Sequence, residues 1–254
     1  MKTIPPLKSF RVLLIGDSCT DRYVYGSVKR ISPEAPIPIL ATEREVSKPG
    51  MCLNVETNLI NLGCQVTTLT NTQKITKTRF IDSRGYQLLR VDDEPVLDPW
   101  CGSLPKLTGI DAVVLSDYNK GFLTYEAMEH IIASFSGPVF IDTKKQDLAR
   151  FEGAYVKINK DEYLQARSLN SNLIVTLGKD GAQYQKTLYP TKDIELTDVC
   201  GAGDTFLAAL SYAFLATNDL AKSIDFANSA ASVTVQHLGN YAPTLDEVLD
   251  NSQK

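Results

Sequence analysis

The run Asp198-Val199-Cys200-Gly201-Ala202-Gly203-Asp204 combines residue types that can hold an anion with one that can remove a proton beside it. Gly201 and Gly203 have no Cβ, so backbone N–H groups there can approach an oxyanion closely. The apolar segment 205–210 that follows is expected to form a buried helix, whose N-terminal dipole adds positive potential at the same point. Phosphoryl transfer suits this arrangement: Asp204 takes the proton of an attacking hydroxyl, while the loop of Gly201, Ala202 and Gly203 holds the charge developing on the phosphoryl group. The same pattern also describes an ordinary glycine turn with Asp204 as a helix N-cap, so the motif alone leaves both readings open.

Other residues are placed for recognition. Segment 11–15 is a leucine and β-branched run ending in Gly16-Asp17, which reads as a buried parallel strand delivering an acid at its carboxyl end, where ligands of open α/β sheets collect. Asp17 and Asp21 are candidates to accept hydrogen bonds from sugar hydroxyls, with a surface turn as the alternative for Asp21. Lys77 and Arg79 alternate on an expected strand and so share one face, which by spacing alone reads as a solvated sheet face; a phosphorylated substrate would meet two cations there. Asp198 either supports the loop or joins a cation site.

These residues need a scaffold. Further buried strands are expected at 112–115, 139–141, 155–158 and 173–177, with helices between several of them, which gives a three-layer α/β fold with a mostly parallel central sheet. Segments 23–28, 37–42 and 78–91 are extended and punctuated by proline and glycine, implying a small antiparallel sheet beside the main one. A chain of 254 residues with 43% hydrophobic content suits one domain with a small appendage. Five cysteines without a C-x-x-C pair favour reduced thiols, and His130 and His237 stand alone in sequence, which disfavours structural zinc. The net charge of −4 argues against general nucleic-acid binding, and no apolar stretch or signal-like leader points to a membrane, so a soluble cytoplasmic protein is expected.

The motifs also resemble a family. D-V-C-G-A-G-D-T at 198–205 resembles the D-T-x-G-A-G-D-x signature of ribokinase-like (PfkB-type) carbohydrate kinases, departing at Val199 and Cys200. The opening 12–17, Asp21-Arg22-Tyr23 and especially R-I-S-P-E-A-P at 30–36 resemble the D-glycero-β-D-manno-heptose 7-phosphate kinases of that superfamily. Leu115-Ser116-Asp117-Tyr118 with Lys120-Gly121, Asn159-x-x-Glu162, Val175-Thr176-x-Gly178-x-x-Gly181 and Phe226-Ala227-Asn228 follow in family order.

The resemblance implies an ATP-dependent enzyme that phosphorylates heptose 7-phosphate at the 1-position, in a cytoplasmic step toward nucleotide-activated heptose for surface glycans. It implies Mg2+ organised through water by the motif Asn159-Lys160-Asp161-Glu162, a nucleotide loop at Thr176, Gly178 and Gly181, and Asn228 near the adenine, where helix packing is the alternative. Some relatives bind K+ near the residue matching Asp198. Lys120, through the family motif D-Y-x-K-G that it sits in, would join Lys77 and Arg79 as a third cation for a substrate phosphate. Parts of 22–47 and 76–92 would form a lid over the sugar that pairs in a homodimer. Where relatives carry a Gly-Gly pair against the sugar, this chain reads Gly50-Met51-Cys52-Leu53-Asn54; Gly50 and Asn54 are retained, while Met51 leaves a narrowed pocket, another substrate or a displaced loop open. The chain is shorter than relatives after Asn71 and after Glu162, and with its end at Lys254 a nucleotidyltransferase step is expected on another polypeptide. A kinase for another sugar, or a non-catalytic nucleotide-binding homologue, are the competing readings.

Overall fold

The computed structural model describes residues 9–192, 194 and 196–253. The chain runs from β1 (Arg11–Gly16) into two long strands, β2 (Ser18–Ile31) and β3 (Pro38–Met51), then through α1 (Cys52–Asn61) and β4 (Gln65–Thr70) to the hairpin β5 (Thr76–Asp82) and β6 (Gln87–Asp93). The remainder comprises β7 (Ala112–Asp117), α2 (Tyr125–Ser134), β8 (Val139–Thr143), β9 (Tyr155–Asn159), α3 (Lys160–Gln165), β10 (Leu173–Thr176), β11 (Ala182–Tyr184) and β12 (Thr187–Tyr189). It closes with α4 (Ala202–Thr217), α5 (Leu220–Thr234) and α6 (Leu245–Gln253).

Every buried strand expected from sequence is present. The large sheet has the order β12-β11-β10-β9-β8-β7-β1-β4, parallel from β4 to β10 and antiparallel at the β11–β12 end. Side chains of β1 alternate between two apolar clusters: Val12 and Leu14 pack with α1, α4 and α5, whereas Leu13 and Ile15 pack with Met128 and Ile131 of α2. A strand covered on both faces has no polar side, which explains its unbroken apolar run. The result is the expected three-layer α/β arrangement. Helix α4 is buried at ten successive positions, 204–213, so its apolar character has to extend around the whole cylinder.

The small sheet differs from expectation in one respect. Its order is β3-β2-β5-β6, and although the β2–β3 and β5–β6 pairs are antiparallel, the central β2–β5 pair is parallel. The main sheet dictates this, because β2 continues from β1 and β5 follows β4, and β1 and β4 both run the same way. Both shortened regions are visible as well: β4 is the edge strand of the large sheet, and the β9–β10 connection carries only the six-residue α3. No helix among the described residues is long and apolar enough to cross a membrane.

Met51 explains the altered glycine pair. Its backbone lies at φ 56 and ψ −131, a region natural to glycine and strained for a side-chain-bearing residue, while its side chain is buried in the cluster with Cys19, Ile75 and Leu97. Burial of the side chain thus offsets a strained turn into α1. Replacing it by alanine loses the packing and keeps the strain, whereas glycine loses the packing and relieves the strain. Met51→Gly is therefore expected to be more stable than Met51→Ala by about 1 kcal/mol or more, the reverse of the usual order at ordinary backbone angles, as measured by denaturant unfolding.

Candidate active site

The loop before α4 is built from the sequence upward. Gly201 is the N-cap of α4 at φ 77, a left-handed conformation that requires glycine or costs strain. Asp198 holds this loop: Oδ1 accepts the Cys200 N–H at 3.0 Å and Oδ2 accepts the Gly239 N–H at 2.8 Å. Its geometry is that of a loop support, the first of the two readings the sequence left open. Asp204 sits in the first turn of the helix with no side-chain capping bond, so the N-cap reading does not hold.

The Asp204 carboxylate is 6% exposed and bonded on both sides: Asn54 Nδ2 donates to Oδ2 at 2.8 Å and Tyr118 Oη donates to Oδ1 at 2.6 Å. Burial pushes its pKa up to about 6, against the opposing effect of these two donors; Asp142 adds to the rise and Lys157 counters it. The group therefore changes charge close to neutrality, as suits a general base.

A polar cleft opens beside it. Lys157 Nζ pairs with Asp142 Oδ2 at 2.6 Å beneath the loop, and a Cβ at Gly203 would lie 2.9 Å from that ammonium. Gly203 thus admits a cation as well as an anion to the bare backbone. Lys144 Nζ pairs with Glu162 Oε1 at 2.8 Å. The N-x-x-E motif forms a reciprocal capping box: the Asn159 side chain accepts the Glu162 N–H and Glu162 Oε2 accepts the Asn159 N–H, both at 2.8 Å. Asn159 and Glu162 face the cleft, whereas Lys160 and Asp161 are exposed on α3 and do not line it. Among the described residues no cluster of three or more His, Cys, Asp or Glu side chains is arranged to hold a metal ion. The carboxylates lining the cleft are those of Asp117, Asp142, Glu162 and Asp204.

A second, larger cleft of about 480 Å³ meets the first at Gly203, which lines both. Thr176, Gly178, Gly181 and Asn228 line it together with apolar side chains such as Phe206 and Val235, so the predicted nucleotide-side residues are brought together. Asn228 Nδ2 donates to the Tyr189 carbonyl at 2.8 Å, and a Cβ at Gly181, where φ is 92, would collide with that same carbonyl at 2.1 Å. Asn228 therefore ties helix to sheet even as it faces the cleft.

On the opposite side, Asp17 is fully buried; Oδ2 accepts the N–H groups of Tyr118 at 2.7 Å and Lys120 at 3.3 Å, and burial with Asp117 nearby raises its pKa. Asp21 is buried too, bonded to Arg79 Nη1 at 2.6 Å and Asn240 Nδ2 at 3.1 Å, so it is not a surface turn acid. A Cβ at Gly50 would lie 2.2 Å from Asp21 Oδ2, which accounts for the retained glycine. Lys77 pairs with Glu94 at 3.4 Å, and Lys120 binds the same carboxylate. The three expected cations are thus neither a solvated face nor unpaired: each has an acidic partner. Sequence reasoning missed Glu94, Asn240, Asp142, Lys144 and Lys157. Two of them carried a signal, since Lys157 interrupts an apolar strand and Asp142 ends one as Asp17 does.

With this geometry in place, comparison with known proteins is informative. The model of the pfkB family of carbohydrate kinases matches residues 145–247. The bifunctional protein HldE of Sulfurimonas denitrificans is 31% identical over 307 residues, covering 95% of this chain and 64% of that protein; HldE of Erwinia tasmaniensis is 33% identical over 300 residues, covering 93% and 62%. The chain therefore spans a little under two thirds of these relatives. Both alignments are longer than its 254 residues, so the relatives carry segments it lacks. Among solved structures, ribokinase from Thermotoga maritima superposes with a TM-score of 0.72 at 16% identity, covering 96% of this chain and 100% of that one. Phosphofructokinase-2 from Escherichia coli in complex with potassium gives 0.72 at 16%, covering 97% and 99%, and Arabidopsis thaliana ribokinase complexed with ribose and ATP gives 0.70 at 14%, covering 97% and 100%. At such identities the likeness concerns the fold.

In the Asp142–Lys157 pair the lysine is buried and the carboxylate is partly open to the cleft. Lys157→Met leaves Asp142 without its partner and is expected to cost about 1–3 kcal/mol. Asp142→Asn added to Lys157→Met should recover a substantial part of that loss, measured by denaturant unfolding of the single and double variants.

Proposed function

This chain belongs to the pfkB family of carbohydrate kinases, and we propose that it transfers the terminal phosphoryl group of ATP to a hydroxyl of a sugar phosphate, with Asp204 as the base. The observation that carries this reading is a buried carboxylate, with its pKa pushed up to about 6, at the point where two clefts meet over a glycine loop. ATP lies in the larger cleft with its phosphates toward Gly203, and the acceptor hydroxyl approaches Asp204 from the side of Asp17 and Asp21. Asp204 removes the hydroxyl proton as the new P–O bond forms and the bond to ADP breaks. The N–H groups of the 201–203 loop, the α4 dipole and Lys157 hold the charge on the phosphoryl oxygens. Glu162 and Asp142 would hold Mg2+ through water, and the ion supplies charge neutralisation on the nucleotide phosphates. Both oxygens of Asp198 are taken by backbone N–H groups, so it joins a K+ site only if it accepts the ion in addition.

The acceptor is D-glycero-β-D-manno-heptose 7-phosphate, phosphorylated at the 1-position to the 1,7-bisphosphate in the cytoplasm. Support comes from R-I-S-P-E-A-P and S-D-Y-x-K-G and from the similarity to the HldE proteins over most of the chain. Lys77, Arg79 and Lys120 receive the phosphate already on the sugar, exchanging the carboxylates of Glu94 and Asp21 for it. Their pairing favours a second reading, a kinase for an uncharged sugar, because a neutral acceptor leaves these ion pairs intact. The small sheet acts as a lid. It also forms a homodimer interface, since Ile31, Ile37, Leu89 and Val91 expose apolar surface there.

Asp204→Asn is expected to lower kcat by about 10²–10⁴-fold in an ADP-release assay while ATP binding persists; a variant keeping half of wild-type turnover would remove Asp204 from the role of base. Because the base acts when ionised, kcat/KM of the wild type should rise with pH through about 6 and level off above it.

An acceptor panel of heptose 7-phosphate, unphosphorylated heptose, hexose phosphates and pentose phosphates separates the two substrate readings. Lys77→Ala or Arg79→Ala should raise the KM of a phosphorylated acceptor about ten-fold or more and leave that of an unphosphorylated one nearly unchanged. Equal losses for both classes would assign these residues to lid folding. Sedimentation should show a dimer that Ile37→Asp weakens; a wild-type monomer at every concentration would overturn the dimer.

A further inference from the structure

We propose that Tyr118 is the positioning residue of this site, fixing Asp204 as an ionised base by donating its phenol to one carboxylate oxygen while its own backbone anchors Asp17. The inference rests on the reading of Asp204 as the base. Tyr118 Oη lies 2.6 Å from Asp204 Oδ1, and Tyr118 N lies 2.7 Å from Asp17 Oδ2. One residue thus spans the carboxyl end of β1 and the first turn of α4, and sets the separation of the two buried carboxylates Asp17 and Asp204.

The loop bearing it is held firmly. Asp117 Oδ2 accepts Thr143 Oγ1 at 2.5 Å, Asp117 Oδ1 accepts the Asn119 N–H at 3.0 Å, and Lys145 Nζ donates to Asn119 Oδ1 at 2.9 Å. Two ammonium groups lie near the Tyr118 ring, Lys77 Nζ at 6.0 Å and Lys144 Nζ at 5.4 Å from its centre. Burial and the neighbouring Asp204 keep the phenol protonated well beyond its ordinary range, so it is a permanent donor rather than a second base.

The charged and titratable groups facing Asp204 come from several elements. Asp142 on β8 opposes its ionisation and Lys157 on β9 favours it. The thiols of Cys19 on β2 and Cys52 on α1 are pushed up to about 12 by burial, and that of Cys200 is raised, so they stay neutral where Asp204 titrates. Asn54 holds the other carboxylate oxygen as a neutral amide. Tyr118 bonds Asp204 and not Asp142, so removing its hydroxyl acts selectively on the base.

The test is the pH profile of kcat/KM for Tyr118→Phe, with ATP and the acceptor that the wild type turns over fastest. Loss of a donor to the ionised form should move the acid limb upward by about one pH unit or more, an approximately ten-fold loss near pH 6 that narrows to a few-fold at alkaline pH. A structural role would instead lower the curve at every pH and leave its limb in place, which overturns the proposal. Should Tyr118→Phe fold poorly, 3-fluorotyrosine placed at position 118 keeps the shape and strengthens the donor. The limb should then move downward, and an unmoved limb counts against the proposal. Asp204→Asn separates the two levels of inference: if it stays active the base assignment fails, whereas if it is inactive and the Tyr118 limb is unmoved only the positioning role fails.

Discussion

Burying a carboxylate at the head of an apolar helix is unfavourable unless donors surround it, and much of the protein is arranged around that constraint at Asp204. Helix α4 has to be buried to bring this carboxylate to the cleft, which in turn requires covering layers from the sheet, α1 and α5. Those layers supply the compensating groups: Asn54 from α1 and Tyr118 from the loop after β7. The compensation is partial, and the residual penalty leaves a pKa of about 6, where a carboxylate is ionised at neutral pH yet still basic enough to accept a proton.

The same economy shows in the glycines. Gly203 is bare because Lys157 lies against it, Gly50 because Asp21 does, and Gly201 because the helix must start from a left-handed residue. Each is explained by a specific neighbour rather than by general flexibility. Met51 is the contrasting case, in which a side chain occupies a glycine-like conformation and its burial in the core offsets the strain. The altered Gly-Gly motif is therefore accommodated inward, in packing, and not as an obstruction of the polar cleft.

Charge pairing distinguishes the two sides of the site. Lys144 and Lys157 are matched with Glu162 and Asp142 in the cleft beside Asp204, and Lys77, Arg79 and Lys120 with Glu94 and Asp21 near the small sheet. Each pairing offsets the desolvation of a partly buried cation, so none of these five side chains is left as an uncompensated charge.

Segments 11–15, 112–115, 139–141 and 155–158 were legible as strands because burial on both faces leaves a largely apolar run, broken only by Lys157; the GAGD loop was legible from its glycines, and N-x-x-E only through the family resemblance. Those signals are local, and they determined the layer architecture, the position of Asp204 and the glycines that line the larger cleft. Tertiary structure decided the rest. Whether Asp204 caps a helix or faces a cleft, whether Lys77 and Arg79 meet solvent or carboxylates, and whether β2 and β5 run parallel depend on residues separated by tens to hundreds of positions, such as Asn54 with Asp204 and Asp21 with Asn240. Electrostatic and hydrogen-bond partners of that kind are set by where separate strands end, and the spacing of residues along one strand holds no record of them.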